Sequence, residues 1–396
     1  MKLSDFSFEY PEELVAQSPL AERDQSRLLV CDEKQEQLID SSFVRIADEL
    51  RRHFTKDSAT PVLLLVNDSK VYPARVRTVK ESGARGEVFI LSPQRETDIS
   101  CLLRPLKKMR VGDILLSEQS RRPVFRVTSV NPPAVENISG MTLPEVMQEE
   151  GEMPLPPYIV RDPARVLDPS VSAMDRLRYQ TVYARETGSA AAPTAGLHFT
   201  RAVLSDCAEK NISIASVTLH VGLGTFQPVT EENIHEHEMH TEICSVPRST
   251  MTAILEHVEN CWPIIFVGTT AFRTVESVIL NALGIPLRDA CQNSRENLAK
   301  LLKSGVIHRE NLLAKADEWI ETNLFIRPSD CDFIYKPMCG DGLITNFHQP
   351  ESTLAMLIAS LTGYSRWQKI YQHAIQSRYR LFSYGDSSVL VFRGES

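Results

Sequence analysis

The stretch TPVLLLVND, residues 60–68, is a short and uninterrupted apolar run. That pattern predicts a strand buried on both faces of a covered sheet. From Tyr72 to about Gly140 the pattern changes to short segments such as GEVFIL, GDILL and PVFRVTSV, punctuated by Gly, Pro and Ser. No 3.6-residue period runs through them, which predicts a small all-β module. The Pro-rich GEMPLPPYI, 151–159, marks the place where that module hands back to the rest of the chain. Beyond it, strands are predicted at ISIASVTLHVG (212–222) and PIIFVG (263–268), and helices at AFRTVESVILNAL and STLAMLIASLTGY. In the last of these Leu354, Leu357, Ile358 and Leu361 form one apolar stripe. The expectation is an α/β main domain over 1–71 and 151–396, interrupted at 72–150 by the all-β module. RENLAKLLKSG, echoed by RENLLAKAD, predicts a helix–turn–helix within an extra helical insertion near 285–317.

With 396 residues and 42% hydrophobic content, the chain is long enough to bury the cores of two domains. No apolar run approaches the length of a bilayer span, and the opening MKLSDFSFEYPEELVAQ is too acidic for a secretory leader, so no membrane partner and a cytoplasmic location are expected. Eight Cys lie far apart without a C-x-x-C pair, against both a disulfide framework and a thiolate zinc site. The net charge of −8 is the wrong sign for a general nucleic-acid binder, so such a partner needs a local patch. One exists between Cys101 and Val130, where Arg104, Lys107, Lys108, Arg110, Arg121, Arg122 and Arg126 meet only Asp113 and Glu118. A solvated basic strand face is the plain alternative.

The chemical signals stand at predicted strand ends. In FVGTTAFRT, Gly268, Thr269 and Thr270 lie where a strand becomes a helix, so free amides would face a carboxylate or phosphate, with Arg273 one turn further on. A capped helix without ligand is the commoner use of such a corner. APTAGLHFT (192–200) sets Pro193, Gly196 and His198 in a stretch poor in long side chains, which lets a planar ligand approach the backbone. TLHVGLGTFQP leaves His220 near the end of a strand, where ligands commonly bind in open α/β folds, although a lone strand His is more often structural. GDGLITNFHQPEST groups Asp341, Asn346 and His348. NIHEHEMHTE (233–242) places His235, His237 and His240 at i, i+2 and i+5, a crowding that by itself leans toward metal; it fits neither one helix face nor one strand face cleanly, and the rest of the chain argues against a metal, so none is expected there.

These blocks, in this order, together with LSDFSFEYPEELVAQSPL, NDSKVYPAR and MPLPPYI upstream, resemble the S-adenosylmethionine:tRNA ribosyltransferase-isomerase family of queuosine biosynthesis. The likeness runs from Met1 to about Phe392, is weakest in the β-module and is absent near 285–317. It implies a barrel-like β insert in an α/β domain. It also implies transfer and isomerisation of the ribosyl part of S-adenosylmethionine onto 7-aminomethyl-7-deazaguanine at the tRNA wobble position, giving epoxyqueuosine with release of adenine and methionine.

S-adenosylmethionine is then a co-substrate, no cofactor is bound permanently, and the partner is a tRNA carrying that base. Under this resemblance His198, His220 and His348 are acid and base candidates, with Asp341 orienting one of them or complementing the sulfonium. Thr194, Phe226, His240, Glu242, Thr269, Thr270, Arg273 and Asn346 are expected to line the substrate pocket. Arg75, Arg104, Lys107, Lys108 and Arg110 are expected to meet tRNA.

Departures from the family pattern fall at Ser69, Lys70, Tyr72, Ala271, Phe272, Gln349 and Glu351, and bear on ligand contacts more than on reaction class. The competing classes are a non-catalytic tRNA-binding relative and a metal-dependent hydrolase built on the His-rich stretch.

Overall fold

The apolar run at 62–67 is an inner strand of a nine-stranded sheet. The computed structural model describes residues 1–32, 37–91, 95, 97–162, 168–222, 224, 229–291 and 296–392. Across the sheet the order is Ile320–Thr322, Glu242–Ser245, Ile212–His220, Val62–Asn67, Ile264–Val267, Gly342–Asn346, Ser387–Val391, Arg27–Asp32 and Gln37–Ser42. The four strands from Ile212–His220 to Gly342–Asn346 run parallel. Parallel neighbours require crossovers, and helices Arg201–Glu209 and Arg248–Asn260 precede two of these strands.

All six residues of Val62–Asn67 are buried, which explains the unbroken apolar run. Val62, Leu64 and Val66 join Ala47, Leu50, Phe199 and Val203 in one core. Leu63 and Leu65 are equally buried on the opposite face, where Arg248–Asn260 and Thr269–Ala282 contact the strand. Truncating such a leucine to alanine costs about 2–5 kcal/mol.

Helix Thr353–Thr362 starts where Ser352 accepts a hydrogen bond from the Ala355 N–H (3.2 Å). Every residue from Ala355 to Thr362 is buried, so the helix is enclosed all round and the single stripe was too narrow an expectation. Its polar residues are tolerated inside because Ser360 Oγ donates to the Met356 carbonyl (2.8 Å) and Thr362 Oγ1 to that of Ile358 (2.9 Å).

Contacts divide the chain into two units: Met1–Ser69, Thr181–Glu186 and Pro193–Ser396 form one, Lys70–Gln180 and Thr187–Ala192 the other. The second unit contains a closed ring of antiparallel strands: Arg75–Lys80, Arg85–Ile90, Ile99–Arg104, Pro133–Asn137, Pro123–Val130 and Ile114–Ser117. Thr78–Lys80 pairs with Leu115–Ser117 to close it, giving the barrel expected in the all-β module. The Pro-rich 151–159 lies inside this unit, because Gly151–Glu152 adds to the edge of Arg75–Lys80. Within the insertion, helices Leu298–Lys303 and Arg309–Ala314 are separated by a turn at Gly305, whose φ of +73° suits glycine. No helix among the described residues is long and apolar enough to cross a membrane.

Candidate functional site at the strand ends

The four parallel strands end side by side, and each end is tied to its neighbour. Asn67 bridges the amide and the carbonyl of Leu219 (3.1 and 3.0 Å) and also accepts from the Ser69 N–H (3.0 Å). Buried Asp68 accepts from Thr218 Oγ1 (2.7 Å) and pairs with Arg185 (2.9 Å), while burial pushes its pKa up. The Ser69 hydroxyl is hydrogen-bonded to His220 Nδ1 (2.8 Å). The His220 ring stacks on Trp319, with centroids 5.2 Å apart and planes 19° from parallel. Burial lowers the pKa of His220, which keeps the imidazole neutral near pH 7.

Beyond Ile264–Val267 the chain turns at Gly268, whose φ of +89° a side-chain-bearing residue rarely adopts, and enters helix Thr269–Ala282. Thr269 is buried, and the Thr270 Oγ1 is enclosed without a hydrogen-bond partner. Arg273 does not face this corner as a free cation. Its Nη1 binds Glu242 Oε2 at 2.6 Å and its Nε donates to the Leu324 carbonyl at 3.1 Å. The second Glu242 oxygen accepts from the Gly222 N–H (3.2 Å). Both side chains are enclosed, at 4% and 5% residue exposure, so the carboxylate neutralises the expected anion grip of Arg273, whose Nη2 stays buried without a hydrogen-bond partner.

At the end of Gly342–Asn346, Asn346 Nδ2 donates to the Phe382 carbonyl (3.0 Å), and the same side chain interacts with buried His198. His198, 4% exposed, is held through Nδ1 by Ser26 Oγ (2.8 Å), lies against Phe43, and interacts with the Asn346 side chain. Burial pushes its pKa down to about 4, opposed by the Asn346 side chain and assisted by Arg380 and Arg23. His348 Nε2 is hydrogen-bonded to Thr345 Oγ1 (2.8 Å), its N–H donates to Tyr371 Oη (2.9 Å), and burial takes its pKa to about 4.

Asp341 is not brought to this group. Its Oδ2 accepts from the Ile264 N–H (2.9 Å) at the opposite end of the strands, about 16 Å away along a five-residue strand. Thr194 opens the short 3₁₀ turn Thr194–His198. Gly196 in that turn leaves no room for a ligand, because a Cβ there would overlap the Tyr183 phenol. Gly224 makes similar room for the exposed His240 ring. Phe226 lies outside the described residues.

His237 pairs with Glu231 (2.8 Å) against Phe325, and His235 accepts from Arg327 Nε (3.2 Å). Each of these two imidazoles has its own partner, and among the described residues no cluster of three metal-capable side chains forms. In the barrel unit, Arg104, Lys107, Lys108 and Arg110 are exposed on one strand-end loop, whereas Arg75 is half-buried beside Glu87 (3.5 Å). Ser26 and Trp319 were not found from sequence, and Ser69 stood out only as a departure from the family pattern. They reach their partners only through strand pairing across the fold, which leaves no local signal.

The family described as queuosine biosynthesis protein matches residues 3–390. A protein from Staphylococcus haemolyticus named S-adenosylmethionine:tRNA ribosyltransferase-isomerase is 37% identical over 398 residues, covering 99% of this chain and 100% of that one. One of the same name from Trichlorobacter lovleyi is 36% identical over 392 residues, with 99% and 100% covered. The crystal structure of an S-adenosylmethionine tRNA ribosyltransferase from Thermotoga maritima shares 26% identity over 98% of this chain and 100% of that one, with a TM-score of 0.46. With its full length matched in this way, the chain belongs to the queuosine biosynthesis protein family.

Proposed function

We propose that the protein is an S-adenosylmethionine:tRNA ribosyltransferase-isomerase. It moves the ribosyl group of S-adenosylmethionine onto the aminomethyl group of 7-aminomethyl-7-deazaguanine in tRNA, producing epoxyqueuosine and releasing adenine and methionine in the cytoplasm. Two needs define such a site. The sulfonium acidifies the neighbouring C5′ hydrogens, so a base must stand within hydrogen-bond reach, and the attacking amine must be neutral.

One observation carries the reading to this geometry: His220 combines a neutral ring with a place at the open end of a parallel strand. Its Nδ1 is fixed by Ser69, which leaves Nε2 to meet a substrate. His348 has Nε2 engaged by Thr345, and His198 is enclosed, so both suit a positioning role better. Since Glu242 neutralises Arg273, the methionine carboxylate is assigned to the amides that open Thr269–Ala282 and to the Thr270 hydroxyl. The loop bearing Arg104, Lys107, Lys108 and Arg110 has the charge and exposure to meet tRNA phosphates.

The test is incubation with S-adenosylmethionine and a tRNA bearing the aminomethyl base. Free adenine and an epoxyqueuosine nucleoside by mass are the expected products. Tight tRNA binding with neither product would identify a non-catalytic relative instead.

A further inference from the structure

The sheet edge beyond His220 carries an aromatic surface for which the chemistry above has no use. Trp319 is 53% exposed and directly precedes the edge strand Ile320–Thr322. Strand register explains how it reaches His220, 99 positions earlier in a chain of 396. His220 pairs with Ile243, and Ile243 pairs with Glu321, so these side chains share one face of the sheet. Trp319 lies two residues before Glu321 and falls on that face as well. Ile243 is 48% exposed beside them.

A single exposed apolar side chain is ordinary. A rigid platform is a different observation. One face of the indole is covered by an imidazole whose orientation Ser69 fixes, and more than half of the residue remains open. The Trp367 ring, by contrast, is buried and Trp262 is half-buried. Glu321 is exposed on the same face, and Glu186, itself paired with Arg185 (3.1 Å), acts electrostatically on His220. Such a setting suits a planar ring that carries an amine, since the ring can stack on the indole and an exposed carboxylate can accept from the amine N–H.

We infer that Trp319, backed by His220, is the stacking platform for the tRNA base that receives the ribosyl group. The inference rests on the ribosyl-transfer reading and names the contact that holds its acceptor. A base whose amine must reach an enzyme's reacting atoms has to leave the anticodon stack, and an aromatic face replaces the stacking it loses. The start of the Thr269–Ala282 helix follows a strand two places across the sheet, about 10 Å away laterally, so acceptor and cofactor fragments would occupy neighbouring positions. The adenine of S-adenosylmethionine is the other planar ring present, and the test separates the two.

Steady-state kinetics of Trp319→Leu and Trp319→Phe, with adenine release as the readout, are compared with wild type. The leucine variant is expected to raise the KM for tRNA about tenfold or more, leaving the KM for S-adenosylmethionine and the melting temperature unchanged, while phenylalanine restores most of the loss. Tryptophan emission of the wild type should be quenched by an anticodon stem-loop carrying the aminomethyl base, and that quenching should disappear in Trp319→Leu. A leucine variant with a tRNA KM within twofold of wild type, or one whose defect lies in the KM for S-adenosylmethionine, overturns the platform while leaving the enzyme reading intact. A wild-type protein that releases no adenine overturns the enzyme reading and the platform with it.

Discussion

Replacing Glu242 by Gln removes the negative half of the Arg273–Glu242 pair at nearly constant volume. Both partners are enclosed and their closest atoms are 2.6 Å apart. At an effective dielectric near 20, unit charges about 4 Å apart attract by roughly 4 kcal/mol. Removing one partner of a buried pair costs about 3–5 kcal/mol, because the remaining charge stays buried without compensation. The glutamine oxygen can still accept from Arg273 or from the Gly222 N–H, so the lower end, about 3 kcal/mol, is expected.

Urea unfolding provides the assay. With a slope of roughly 3 kcal/mol per M, the midpoint should fall by about 1 M. Arg273→Met should lose a comparable amount, and the double variant should lose less than the two single losses together. A Glu242→Gln protein within about 1 kcal/mol of wild type would refute the view that these charges exist for each other. If Arg273→Met instead raised the KM for S-adenosylmethionine at nearly unchanged stability, Arg273 would be a ligand grip after all.

Three further outcomes follow from the site. His198 has a folded pKa near 4 against an ordinary value of 6.5, so below pH 6.5 the unfolded chain takes up the proton first. The stability present above pH 6.5 should therefore be lost as pH falls toward 4, by about 3 kcal/mol from this residue, and urea midpoints of His198→Gln between pH 7 and 5 should lack that slope. His220→Gln should lower the rate of adenine release by about 100-fold or more at unchanged melting temperature, as expected for loss of a general base, and a rate within threefold of wild type would remove His220 from that role. Lys107→Glu with Lys108→Glu should raise the KM for tRNA and flatten its logarithmic salt dependence by about one unit per lost phosphate contact, without affecting stability, since both side chains are exposed.

What the sequence revealed, and what it concealed, follows from how far each signal travels along the chain. Val62–Asn67 was legible because burial on both faces is written in consecutive residues. The barrel was legible because tight turns between its strands demand Gly, Pro and Ser at short intervals. Helix Thr353–Thr362 was legible from its apolar stripe, but its full enclosure was not, because its hydroxyls are satisfied by its own carbonyls and look like an exposed face in the sequence.

The candidate site was less legible, because nearness in sequence is a poor guide wherever a strand intervenes. Asp341 and His348 are seven positions apart, yet Gly342–Asn346 between them is extended and sends them toward opposite ends of the strands. His198 and Ser26 are 172 positions apart and in hydrogen-bond contact. The Glu242–Arg273 pair obeys the same geometry. Glu242 opens a strand antiparallel to Ile212–His220, which returns it to the level of Gly222, while Arg273 sits one turn into the helix that begins after Ile264–Val267. The residue types of a charged anion corner were thus present in the sequence, and only the register of an antiparallel strand determined that a protein carboxylate fills it.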